Sequence, residues 1–351
     1  YTQGAGIAPW HCLPITLDVG TDNQALLEDE QYLGWRHRRL EGEEYLSFIG
    51  RFVRAFRNVF PSALCQWEDF STANAFSICA AFHDEIISFN DDARGTGAAA
   101  LATILSAMKV KKKKLQDQNF LIHGDSAGAL GTAAQIKRAL VDTGLDEKEA
   151  CDKIFILRED GLLTKEKEMA FFTAKFAKNP EQFPWIKEID TTDAAAIIRH
   201  AAVTTLIGTT GDNAFFTDPI AAELKKQTSR PVVLLLFQHA STPELFCQNF
   251  SRWSGEGFLM AAGHSCREID ELECSYEVSQ CNSAMIFPGV ALGVLVSGAR
   301  EVLPQFFDIA AETVSAMVPK DELEKGRLMP RISELADVAQ KVALAVAMCA
   351  V

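Results

Sequence analysis

Apolar residues fall at helical spacing over residues 42–60, where Tyr45, Phe48, Ile49, Phe52, Val53 and Phe56 share one face and Pro61 stops the run. Around this helix the pattern shortens to apolar runs of strand length at 13–18, 63–67 and 86–89, with a helix expected over 72–82. The alternation then continues. Strands are expected at 119–123, 153–157, 203–207, 231–237 and 257–261, and helices at 95–108, 127–143, 193–201, 217–227 and 242–253. Phe287-Pro288-Gly289 opens an apolar helix over 290–303, and a closing amphipathic helix follows Pro330. Strands alternating with helices predict an α/β fold with a parallel, doubly wound sheet.

Composition narrows the function classes. The 351 residues are 48% hydrophobic and 23% charged, as in ordinary globular domains, and the length suggests two of them. A net charge of -13 argues against a nucleic-acid or anionic-membrane surface. No apolar run reaches membrane-spanning length. None of the nine cysteines forms a C-x-x-C pair, so they read as reduced thiols. Lys111 to Lys114, the one basic run, reads as a solvated turn.

Two strands end in acids. The run at 63–67 leads into Glu68 and Asp69, and the run at 86–89 leads into Asn90, Asp91 and Asp92. Parallel strands deliver such residues to one sheet edge, where open α/β folds bind ligands. Crowded carboxylates repel one another unless a cation lies among them or some stay protonated, and all-oxygen ligation favours Mg²⁺ or Mn²⁺. Capping of the following helices is the other reading of these acids. Arg94 then either neutralises them or meets a substrate carboxylate.

A second constellation follows the strand at 119–123. Gly124-Asp125-Ser126-Ala127-Gly128 joins it to a helix, the context of a dinucleotide-binding turn, with Ser126 where a glycine would ease the approach of phosphates and Asp125 adding a negative charge; a plain strand–helix turn is the other reading. The next strand ends in Arg158, where an acid for the ribose hydroxyls is usual; an arginine there suits the 2′-phosphate of NADP, or is equally a surface residue, since Glu159 and Asp160 follow. Gly208-Thr209 at another strand end suits a cofactor-facing loop, and His239 and His264 read as polar loop histidines near the same edge.

The chain resembles the malic enzyme family. The matching blocks are Tyr1-Thr2, Ala5-Gly6-Ile7, Leu13-Pro14, Asp18-Val19-Gly20-Thr21-Asp22-Asn23, Glu68-Asp69-Phe70, Asn90-Asp91-Asp92, Gly95-Thr96, Gly161-Leu162-Leu163 and Ile286-Phe287-Pro288-Gly289. They keep their order and spacing over essentially the whole length. The resemblance implies a malate- and metal-binding central domain over residues 1–90 and 282–351, and a Rossmann-type NAD-binding domain over 91–281. It implies oxidative decarboxylation of L-malate to pyruvate and CO₂, with Mg²⁺ or Mn²⁺ held by Glu68, Asp69 and Asp92. Catalytic roles fall to Asp91 and Asn282. NAD, or NADP, is implied against Gly124, Ser126, Ala127, Gly128, Arg158, Gly208, Thr209, Gln238 and Asn282.

A homodimer or homotetramer in the cytoplasm is expected with it, with the mitochondrial matrix or another organelle left open. The bacterial malolactic enzymes share these blocks, so conversion of L-malate to L-lactate is the alternative chemistry. Several positions depart from the family pattern. Gly-Ala-Gly reads Gly124-Asp125-Ser126, Ser-Asn-Pro-Thr reads Phe237-Gln238-His239-Ala240, and Asn-Asn reads Asn282-Ser283. The front part that carries the family's tyrosine acid, substrate arginine and lysine base is expected to be missing. These departures motivate a third expectation, a catalytically silent malic-enzyme-like subunit.

Overall fold

A computed structural model describes residues 1–166, 169–211, 215–236, 252–253, 257–263 and 279–351. Two single-turn helices, α1 (Thr2–Ala5) and α2 (Gln24–Glu28), precede the long helix α3 (Gly42–Val59). The smaller of two sheets pairs β1 (Cys65–Trp67) in parallel with β2 (Ser88–Asn90), joined by α4 (Thr72–Phe82). Tyr45, Ile49 and Val53 of α3 pack with Cys65, Trp67 and Ile78 into its core, so the apolar face read from the sequence is the buried one.

Residues 13–18 were expected as a strand and form none. Their neighbours' backbone groups are committed to a loop instead: Leu40 N–H donates to Val19 O at 2.8 Å, and Asp18 accepts from Gly20 N–H at 3.0 Å and Trp35 N–H at 2.6 Å. The segment therefore runs beside β1 without pairing it. Leu13 and Ile15 stay exposed, on one wall of a cavity of about 400 Å³ that reaches Glu68 and Asp69.

The helix α5 (Asp91–Lys111) starts four residues before the expected Gly95. Asn90 is its cap, its side chain accepting from Ala93 N–H at 2.9 Å, so Asp91 and Asp92 fall in the first turn. The larger sheet follows. It comprises β3 (Phe120–His123), β4 (Ile154–Arg158), β5 (Gly161–Leu162), β6 (Thr205–Gly208), β7 (Val232–Leu235), β8 (Leu259–Ala262) and β9 (Ser279–Gln280), in the order β5-β4-β3-β6-β7-β8-β9. All neighbours are parallel except β4 and β5.

Helices α6 (Ala127–Asp142), α7 (Glu147–Asp152), α8 (Ala194–His200) and α9 (Asp218–Gln227) lie between the strands. Buried on both faces, the strands read as unbroken apolar runs. Ile122, Ile156, Ile207 and Leu234 face α5 and α6; Leu121, Leu157, Leu206 and Val233 face α8 and α9.

Four further helices close the chain: α10 (Phe287–Ser297), α11 (Pro304–Met317), α12 (Lys320–Glu324) and α13 (Leu335–Ala350). The apolar helix expected to reach 303 stops at Gly298, which takes the left-handed conformation at φ 68° and caps α10. Gly289 and Gly293 let α10 meet α13 closely, because a Cβ at either would press on Val342 or Val346. The helix expected over 242–253 falls almost wholly outside the described residues. Among those described, no helix is long and apolar enough to cross a membrane.

Candidate functional site

Glu68 and Asp69 follow β1, and Asp92 follows β2. Because the two strands are parallel and in register, with Trp67 opposite Asn90, their following residues emerge together. Consecutive residues of an extended strand point to opposite faces. Asp69 breaks that alternation with a left-handed backbone, φ 61°, a conformation that Asp tolerates better than most residues. One carboxylate oxygen each from Glu68, Asp69 and Asp92 then lie within 4.8 Å of one another. Partial burial, and after it the neighbouring carboxylates, hold Glu68 and Asp92 above the ordinary carboxylate range. Hydrogen bonds from Gln66 and Asn90 work the other way.

Asp91 is buried behind this trio. Ser283 Oγ donates to its Oδ2 at 2.8 Å, while Oδ1 is buried with no hydrogen-bond partner. Burial first, and then the charge of Glu68, pushes its carboxyl up to about 8. Asn282 caps the turn that presents Ser283, its side-chain oxygen accepting from Ala284 N–H at 2.8 Å.

Two neighbours of the acids were not among the expected site residues. Gln66 lies two residues before Glu68 on the same side of β1, and its Nε2 donates to Glu68 Oε2 at 2.5 Å. Tyr1 donates its hydroxyl to Gln66 Oε1, and its ring packs edge-on against Phe287 with centroids 5.1 Å apart. The period-2 spacing of 66 and 68 was the available clue for the first; nothing local marks the second. Arg94 neither joins the acids nor faces their ligand side. Two positions past Asp92 on a helix is a rotation of about 200°. Its guanidinium lies 5.8 Å from the Phe307 ring centroid, beside the ion pair of Arg138 with Asp308.

The glycine turn sits next to the acids because α5 and α6 pack closely. Gly128 lies against Thr96 and the Asp92 carbonyl, and Gly131 against the Ala93 carbonyl. The chain leaves β3 for β4 on one side and returns to β6 on the other, so the β3–β6 crevice is the topological switch point. Gly124 and Gly208-Thr209 meet there. Gly124 has φ 111°, and a Cβ on it would collide with Thr209. Thr209 Oγ1 donates to His123 O at 2.9 Å. Ser126 caps α6, accepting from Ala129 N–H at 3.3 Å, and Ala127 and Gly128 form the first turn. Arg158, at the end of β4, pairs with Asp160. Gln238, His239 and His264 lie outside the described residues.

These residues suit the groups the sequence implied. The donors of the trio are all carboxylate oxygens, and oxygens around a six-coordinate Mg²⁺ lie roughly 3–4 Å apart, so a slight contraction closes the set. The buried Oδ1 of Asp91 is a further acceptor without a partner. The turn supplies a close backbone approach at Gly124 and the outward N–H groups of a helix start.

Comparison with known proteins gives a consistent result. A family model described as "Malic enzyme, N-terminal domain" matches residues 1–83, and one described as "Malic enzyme, NAD binding domain" matches residues 93–351. The NAD-dependent malic enzyme of Sodalis glossinidius is 34% identical over 352 residues, covering 100% of this chain and 62% of that protein. The NAD-dependent malic enzyme of Pectobacterium carotovorum is 34% identical over 348 residues, covering 99% and 62%. The chain thus spans 62% of the length of each relative. Among solved structures, the NAD-dependent malic enzyme of Thermotoga maritima aligns with a TM-score of 0.64 at 20% identity, covering 88% of this chain and 72% of that one. The Entamoeba histolytica malic enzyme aligns with a TM-score of 0.65 at 20% identity, covering 89% and 60%.

Proposed function

This chain belongs to the malic enzyme family, and from that premise we propose that it serves the divalent-metal-dependent oxidative decarboxylation of L-malate to pyruvate and CO₂, with NAD as hydride acceptor. The observation that carries the reading is the convergence of Glu68, Asp69 and Asp92 from two parallel strand ends, beside the buried Asp91. The NAD-dependent relatives support the choice of cofactor. Residues 1–90 with 282–351 form the malate and metal part in this reading, and residues 91–281 the NAD part; the separate core of the small sheet supports the boundary near residue 90, whereas residues 282–351 share their core with the large sheet. Family resemblance supports a homodimer or homotetramer.

Glu68, Asp69 and Asp92 are the groups to hold Mg²⁺ or Mn²⁺. A bound cation supplies Lewis acidity toward the hydroxyl and carboxylate oxygens of an α-hydroxy acid. Asp91 is placed to hold a proton at Oδ1 while Ser283 fixes Oδ2. The side-chain oxygen of Asn282 is taken by Ala284 N–H, so its amide N–H₂ is what it offers to malate or cofactor. Gly124, Ser126, Ala127, Gly128, Gly208 and Thr209 shape the dinucleotide crevice and keep its backbone approach open. A catalytically silent family member is the second reading, favoured by Asp125 and Ser126 standing exposed at the turn.

The test is malate turnover with Mn²⁺ and NAD, following NADH and the organic acid together, with Mn²⁺ binding read separately by electron paramagnetic resonance. Pyruvate and NADH in equal amounts are expected. Asp92→Asn is expected to lose turnover and at least about 100-fold in Mn²⁺ affinity, beyond the 10- to 100-fold typical of groups that only support a ligand. Lactate without net NADH indicates the malolactic reaction. Intact Mn²⁺ and NADH binding without turnover indicates the silent member, and undiminished Mn²⁺ binding in Asp92→Asn refutes the ligand assignment.

A further inference from the structure

Arg158 stands at the carboxyl end of β4, the strand next to β3 and its glycine turn. In dinucleotide folds this strand end faces the adenosine ribose, where an acid takes the hydroxyls of NAD or an arginine meets the 2′-phosphate of NADP. Here the two residue types occur together. Asp160 grips the Arg158 guanidinium bidentately, with Nε 2.8 Å from Oδ1 and Nη2 2.7 Å from Oδ2. The geometry is built by the chain, not by chance rotamers. β4 reverses directly into the antiparallel β5, pairing Arg158 with Gly161, and this tight reversal brings Asp160 back alongside Arg158. Gly161 makes the reversal with φ 103°, where a Cβ would press on Thr191 at 2.6 Å.

A second acid, Asp125, stands in the turn that follows the neighbouring strand. Gly124 N–H donates to Leu157 O at 2.8 Å, tying the turn to the end of β4, so the charge of Asp125 adds weakly to that of Asp160 in holding Arg158 protonated. One cation thus has two carboxylates acting on it, and Glu159 adds a third acid between them in sequence.

Taking the dinucleotide reading above as given, we propose that the Arg158–Asp160 pair is a specificity element that admits NAD and rejects NADP. Asp160 takes the Nε–Nη2 edge of the guanidinium, one of the two edges that could grip a phosphate, and, with Asp125, leaves the ribose end of the crevice negative. Discrimination is then carried by a repulsive element at a site that otherwise has the residue for the opposite preference.

The test is equilibrium binding of NADH and NADPH, read by nucleotide fluorescence, on the parent chain, Asp160→Asn, and Asp160→Asn combined with Arg158→Ala. The parent is expected to bind NADH more tightly, with the preference shrinking as salt screens the carboxylates. In Asp160→Asn the NADPH-to-NADH affinity ratio is expected to rise roughly 10- to 100-fold, the worth of a hydrogen bond to a charged group. Adding Arg158→Ala is expected to abolish that gain. An unchanged ratio in Asp160→Asn, or a parent that prefers NADPH, overturns the proposal while leaving the dinucleotide reading intact. A parent that binds neither nucleotide overturns that reading, and this proposal with it.

Discussion

Gln66 and Glu68 leave β1 on the same side, two residues apart, and the amide of one fixes an oxygen of the other at 2.5 Å. A carboxylate so held is presented in one orientation to whatever its remaining oxygen meets. Gln66→Leu removes the amide at similar volume. It is expected to weaken Mn²⁺ binding by about 10-fold, the lower end of what groups behind a metal ligand contribute. A magnetic-resonance titration checks this, and an unchanged affinity would show that Glu68 needs no such support. At this scale the sequence was partly legible. Glu68, Asp69 and Asp92 could be read because strand ends announce themselves by the apolar runs before them. Tyr1 could not, since its partners Gln66 and Phe287 are distant in the chain. Arg94 misled because the helix begins at Asp91, not Gly95, and its phase turns the guanidinium toward Phe307.

The helices α5 and α6 both start at the ligand-facing edge, and they touch through glycine. A Cβ at Gly97 would meet the Gly131 carbonyl at 2.7 Å, and one at Gly131 would collide with the Ala93 carbonyl. Ala93 directly follows Asp92, so this contact sets how far the acids stand from the glycine turn. Gly131→Ala is expected to cost about 1–3 kcal/mol of stability through overpacking. It is also expected to weaken Mn²⁺ and NADH binding together, because the first turns of both helices must separate. Urea denaturation alongside the two titrations tests this; loss of stability with both affinities intact would mean the helices yield elsewhere. The alternation of strand and helix made these elements legible. Two boundaries escaped it. Apolar residues at 13–18 meant a strand only if a partner backbone was available, and the 34–40 loop engages its neighbours instead. Ala299, Val302 and Leu303 likewise extend the apolar spacing past Gly298, but the left-handed turn there ends α10 and lets Pro304 begin α11.

Across the whole molecule, the carboxylate trio joins parts with separate cores. Glu68 and Asp69 extend the small sheet, while Asp92 begins the helix that packs on the large one. A cation held by all three links the two. Mn²⁺ at about 100 times its dissociation constant is expected to stabilise the fold by about 2.7 kcal/mol, and chelation to reverse the gain. Thermal melts of the parent and of Asp92→Asn check it: the parent midpoint should rise with Mn²⁺ and the variant's should not. The parallel order of the large sheet followed from the sequence pattern, but the closure of the chain on itself did not, because periodicity carries no information about partners hundreds of residues apart.

That closure has a consequence for biosynthesis. Gly4 of α1 rests on Leu335 of α13, and Asp91 receives its hydroxyl from Ser283. A nascent chain emerging from the ribosome exposes its acids long before either partner is made. The half-built site is therefore a cluster of mutually repelling carboxylates, and only the emergence of the turn that carries Ser283 gives Asp91 its partner. Because long-range contacts are entropically slow to form, Asp91 gains its partner only after residue 283 has been made, and α1 its support only after residue 335.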